Sequence, residues 1–196
     1  GGSGSAVSWA TPSGGLSVVD QWEYASSRTA IYESGNTLWL GEGTANASYS
    51  GSPRSTGVFT RTANAGLPIG GGITNSADSS SGSDRYGWFK FPVTGVYKVE
   101  MLLYLNRDQF ANKSVTYRTA LSTNGGTSFT NISEGLLFKM DNNYTKDMEV
   151  SSNCFVNVTD TSDDIVKFTL ETDQSGTSNP AVNVRQFSRV TFMKVN

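Results

Sequence analysis

With 196 residues, 36% of them hydrophobic and only 16% charged, the chain can fill one β-sandwich core but must build its polar surface from Ser, Thr and Asn. A formal charge of -2, with cations scattered singly as at Arg54, Arg61, Lys90, Lys98 and Lys113, argues against a nucleic-acid partner. The absence of His removes His-based zinc sites, Ser–His and Cys–His nucleophile pairs and the commonest general base, and a single Cys154 leaves no disulfide framework and no thiolate metal site.

The opening Gly1-Gly2-Ser3-Gly4-Ser5 reads as a flexible linker or a cloning scar. With no initiator Met and no signal peptide, the chain is expected to be processed or a piece of something longer. No stretch approaches the roughly 18 apolar residues of a membrane span, and no lipidation motif is present, so no membrane insertion is expected. Short strands are expected at Val18 to Tyr24, Thr37 to Leu40 and Gly57 to Thr62. From Gly70 to Asp84 the chain lacks apolar periodicity and is rich in Gly and Ser, which predicts a long surface loop.

Gly95 to Asn106 carries the clearest strand pattern. Tyr97, Val99, Met101, Leu103 and Leu105 are apolar at every odd position, while Lys98, Glu100 and Asn106 mark the other side. Leu102 and Tyr104 break that polar side, so something is expected to cover them, and a neighbouring subunit is the candidate. Val115, Tyr117, Thr119 and Leu121 alternate before Asn124-Gly125-Gly126, whose positive φ values suit a hairpin. Further strands are expected at Glu134 to Met140, Met148 to Val158 and Ile165 to Thr172. Val184 to Val195 is apolar on both faces, as in a central strand or one straddling a bulge. Eight to ten strands without a useful amphipathic helix predict an all-β sandwich or jelly roll. Cys154 shares its side with Val156 and Val158 and reads as a buried structural thiol.

Three segments carry a resemblance. Phe89-Lys90-Phe91-Pro92-Val93-Thr94-Gly95-Val96-Tyr97-Lys98-Val99 resembles the corresponding strand of complement C1q-like and tumour-necrosis-factor-like jelly rolls. Phe155 to Asp160 with Asp164 to Phe168 is similar to their late hairpin, and Phe187 to Val195 to their closing C-terminal strand. Arg189 stands where the animal proteins favour Gly, which makes a complement-type head the poorer match. Such domains also occur in phage and virus fibre or decoration proteins, whose N-terminal part is similar to Val19-Asp20-Gln21-Trp22 and the Ser/Thr/Asn-rich strands after it. The resemblance implies a ten-stranded jelly roll over 16–196, preceded by a flexible arm over 1–15, that forms a homotrimer through one sheet face. It further implies a structural or binding role in a virion, with other virion proteins and a host surface glycan or protein as partners. The alternative is a secreted, extracellular C1q-like or lectin-like binding protein.

Candidate chemistry is sparse. Asp160, Asp163 and Asp164 cluster, but their spacing is that of a turn whose side chains bond their own backbone rather than of a calcium loop. Glu23, Glu33, Glu42, Glu100 and Glu171 each stand singly, which argues against the acid pair of a glycosidase. No catalytic residue, metal ligand or cofactor is therefore expected. Trp22, Trp39 and Trp88 are expected in the core or an interface, while Tyr49 and Tyr86 are candidate surface recognition residues. Asn46, Asn112, Asn131, Asn143 and Asn157 match the glycosylation pattern, as a Ser/Thr-rich chain does by chance.

Overall fold

The computed structural model describes residues 16–24, 29–32, 37–39, 41–42, 57–62, 68–78, 85–107, 115–137, 146–172, 180–185 and 187–195. They form β1 (Val19–Tyr24), β2 (Thr29–Tyr32), β3 (Thr37–Trp39), β4 (Gly41–Glu42), β5 (Gly57–Arg61), β6 (Thr74–Asp78) and β7 (Arg85–Lys90). The second half contributes β8 (Gly95–Arg107), β9 (Val115–Thr123), β10 (Thr130–Leu137), β11 (Lys146–Val158), β12 (Asp164–Thr172), β13 (Pro180–Val184) and β14 (Arg189–Val195). No helix among these residues is long and apolar enough to cross a membrane. The strands outnumber the eight to ten expected because β2, β4 and β13 are only two to five residues long, too short to leave a periodic signature.

Two sheets carry the fold. One has eight strands in the order β2-β13-β8-β14-β1-β5-β4, with β11 on the free side of β8; the other has six in the order β10-β9-β12-β7-β6, with β3 beside β12. Pairing is antiparallel except for the short parallel contact of β4 with β5. From β7 onward the chain repeatedly crosses between the sheets, which makes the sandwich a jelly roll.

Period-two alternation fills the space between them. Tyr97, Val99, Met101, Leu103 and Leu105 of β8 join Phe192 of β14, Trp22 of β1, Phe89 of β7 and Phe168 of β12 in one buried cluster. Rings lock the layers together. Phe89 lies 5.4 Å from Phe168, 5.3 Å from Phe192 and 5.5 Å from Trp22 between ring centroids. Cys154, expected to be buried, faces this core half-buried, and burial pushes its thiol up to about 11.

One inward position of β1 holds a carboxylate. Asp20 is fully buried, accepts a hydrogen bond from the Ile73 amide at 2.7 Å and pairs with Arg61 Nε at 3.2 Å. Burial raises its pKa and Arg61 opposes that shift. The cluster ties β1, β5 and the approach to β6 together.

Two expectations need correction. The span from Gly70 to Asp84 is not one loop, because Thr74–Asp78 forms β6 against β7. An edge strand has a partner on one side alone, so its Thr-Asn-Ser-Ala-Asp sequence needs no apolar stripe. The segment Val184 to Val195 is not one strand either. It ends β13 at Val184, turns, and begins β14 at Arg189, which places Phe187 in a turn rather than on a strand face.

A candidate assembly face on the eight-stranded sheet

The residues of β8 that leave the core are Val96, Lys98, Glu100, Leu102 and Tyr104, the last four each between two buried neighbours. Register places their companions. Val96 sits opposite Asn157 of β11 and Val195 of β14; Lys98 opposite Phe155 and Met193; Glu100 opposite Asn153 and Thr191; Leu102 opposite Ser151 and Arg189. Beyond β14, Val19, Gln21 and Glu23 of β1 extend the same rows, and Glu149 stands opposite Tyr104.

The resulting grid has two apolar regions with a polar row between them. Near the end of β14 lie Phe155 at 65% exposure, Val195 at 42% and Val96 at 41%, with half-buried Met193 and Val19. At the other end lie half-buried Leu102 and Tyr104, with Phe187 at 68% exposure set edge-on to the Tyr104 ring at 6.2 Å. Asn153, Glu100, Thr191 and Gln21 form the row between, and Lys98 pairs with Glu100 at 2.5 Å. A hydrogen bond from the Tyr104 hydroxyl to Glu149 raises the phenol pKa. Burying a Phe side chain rather than leaving it exposed is worth about 1.5–3 kcal/mol, so a face with two such rings favours a covering partner.

The six-stranded sheet covers the aromatic rings of its outer side from its own chain, while Leu136 of β10 stays open there at 42% exposure. The hairpin after β9 folds back over it, with Gly125 and Gly126 at φ 66° and 88°. Ser122 Oγ accepts hydrogen bonds from the amides of Asn124 at 3.3 Å and Gly126 at 2.9 Å. Phe129 then meets Trp88 at 5.7 Å and lies under the Lys167 ammonium at 3.9 Å. Ile165 is completely buried although β12 turns it away from the core residues Val166 and Phe168. Farther along, Arg118 bridges Glu134 and Glu171, and those carboxylates raise its pKa.

Leu102 and Tyr104 thus share the outward side of β8. Tyr86 in β7 and Trp39 in β3 have side chains outside the described residues, and Tyr49 and the stretch 1–15 lie outside them altogether. Trp22 is a core residue, and Trp88 is buried under the β9–β10 hairpin rather than between the sheets. Glu100 and Glu171, considered for an acid pair, stand on different sheets in separate ion pairs. The acidic turn is closed by its own backbone. Asp164 Oδ2 accepts from the amides of Thr159 at 2.6 Å and Asp160 at 3.0 Å, while Asp160 Oδ1 accepts from Ser162. Those bonds from Ser162 lower the Asp160 pKa. Phe155 escaped the sequence reading, although its place between inward Cys154 and Val156, beside Asn153 and Asn157, was a usable signal.

No family model matches the chain, and no curated protein does. Among solved structures it is similar to the Eiger TNF of S. frugiperda, with a TM-score of 0.55 and 11% identity over 92% of this chain and 94% of that one. It also aligns with murine APRIL at a TM-score of 0.49 and 12% identity, over 91% of this chain and 98% of that one. The likeness to Eiger establishes the fold as a TNF-like jelly roll.

Proposed function

We propose that this chain is a self-assembling binding module that forms a homotrimer through the outer face of its eight-stranded sheet. The observation that carries the reading is the apolar grid of Val96, Phe155, Val195, Met193, Leu102 and Tyr104, spread over three adjacent strands with polar residues between. Interfaces between copies bury apolar clusters beside polar residues, and here two such clusters flank one polar row. The chemistry of the module is recognition rather than turnover, with 1–15 as a tether and 16–196 as the folded domain.

Its setting is a virion: a head fibre, decoration or tail-fibre domain that stabilises the particle or contacts the host surface. The low charge, the absence of His and the Ser/Thr/Asn-rich strands support that setting. A secreted C1q-like or lectin-like binding protein is the second reading, favoured by the likeness in fold to an animal TNF protein. Sedimentation velocity of the full chain tests the assembly. A species three times the mass of the 21.0 kDa chain is expected, and a monomer at micromolar concentration would overturn it. Capsid or tail genes beside the coding sequence are expected for the virion setting, and a neighbourhood without them favours the secreted one.

A further inference from the structure

We infer that Phe187 is the anchor by which one copy of this chain grips another, presented by a turn that carries strain for the purpose. The inference rests on the reading of this face as an interface between copies. Among the described residues Phe187 is the one non-glycine with positive φ, at 76°. That region is crowded for any residue with a Cβ and is a genuine outlier for a bulky one, while Gly or Asn would adopt it freely. Strain of this kind persists where the surroundings impose it and clusters at functional positions.

The surroundings do impose it. Arg185 N donates to Tyr104 O at 2.8 Å, Ser188 N to Arg185 O at 3.2 Å, and Tyr24 N to Ser188 O at 2.9 Å. The fully buried Ser188 accepts the Tyr104 amide on its hydroxyl at 2.9 Å. The turn between β13 and β14 is therefore clamped to β8 on one side and to β1 on the other. What it holds out is a ring that is 68% exposed and set edge-on to Tyr104. The fold gains little burial from this ring while its backbone is strained.

The occupant is a second copy. Phe187 continues the apolar region of Leu102 and Tyr104, so whatever covers those residues meets it first. Charges on the described part of the face are close to balanced, with Lys98 and Arg189 against Glu23, Glu100 and Glu149, and Lys98 already pairs with Glu100. Such a face exerts little pull on a strongly charged partner and suits a surface as neutral as itself.

The test compares full-length wild type with Phe187→Gly, Phe187→Asn and Leu102→Asp in dilution series by sedimentation velocity. Thermal melting is measured where each is dissociated. Phe187→Gly and Phe187→Asn should weaken association at least tenfold, while the melting temperature of the dissociated chain holds or rises as strain is relieved. If both associate as wild type does while Leu102→Asp falls apart, the face stands and the anchor is wrong. If Leu102→Asp associates like wild type, the face itself is wrong and the anchor goes with it. Loss of cooperative melting in both Phe187 variants would make the ring a requirement of the fold and overturn the inference.

Discussion

Both sheets turn one side away from the same core, and the two outward sides are finished in different ways. On the six-stranded sheet the chain supplies its own cover. The β9–β10 hairpin lays Phe129 over Trp88, Lys167 caps the ring, and Arg118 is held between two carboxylates. On the eight-stranded sheet Phe155, Val96, Val195 and Phe187 remain open, although half-buried Met193, Leu102 and Tyr104 stand among them. Composition alone does not separate the sides, since each carries aromatic rings and ion pairs. The difference lies in whether a local segment returns to cover the rings. Where one does, the rings are covered within a single copy; on the eight-stranded sheet no described segment covers Phe155 or Phe187.

Phe155→Asp is the strongest way to break this comparison. The side chain is already 65% exposed, so the dissociated chain should change by no more than about 0.5 kcal/mol. In an assembly the carboxylate would replace an apolar contact and lose its water without a partner. Association weaker by a factor of about 100, or about 2.7 kcal/mol, is expected from a dilution series. Association at wild-type strength would make this side as quiet as the other.

Gly126→Ala attacks the self-covered side. A Cβ there would stand 2.4 Å from the Trp88 ring, at a φ of 88° that L side chains resist. Overpacking and backbone strain together should cost about 2–3 kcal/mol. For a chain of this length that is a fall in melting temperature of roughly 4–12 °C. The folded variant should associate as wild type does, because its lesion lies on the other sheet. A loss of association without a loss of stability would mean that the hairpin, too, meets a partner.

How much of this was legible beforehand follows from the physics of each signal. The alternation of β8 is long, because that strand runs thirteen residues with one side in the core, and it exposed Leu102 and Tyr104 as anomalies. The edge strand β6 was hidden because edge positions do not demand apolar residues. Phe187 was hidden for another reason. Backbone handedness at a single turn leaves no periodicity, and Val184 to Val195 looked continuous because apolar residues flank the turn on both sides. The cover over Trp88 depends on a hairpin returning to its own sheet. Asn124-Gly125-Gly126 announced the turn but not where Phe129 would land.

Arg118→Ala is the gentlest probe and sharpens the comparison from the polar end. The Arg118–Glu134 contact is 2.5 Å long, and Glu171 holds the other side of the guanidinium. Exposure of 24% for Arg118, 49% for Glu134 and 37% for Glu171 means that solvent screens both pairs heavily. Exposed ion pairs contribute about 0.2–1 kcal/mol, so losing both should cost about 1 kcal/mol at low salt. Added salt should shrink the difference, since the Debye length falls from about 10 Å at 0.1 M to about 3 Å at 1 M. The dissociation constant of the assembly should stay at the wild-type value throughout. A salt-independent loss of stability would show that Arg118 acts through the packing of its aliphatic stem across β9, β10 and β12 rather than through charge. A loss of association would place a partner on the six-stranded sheet.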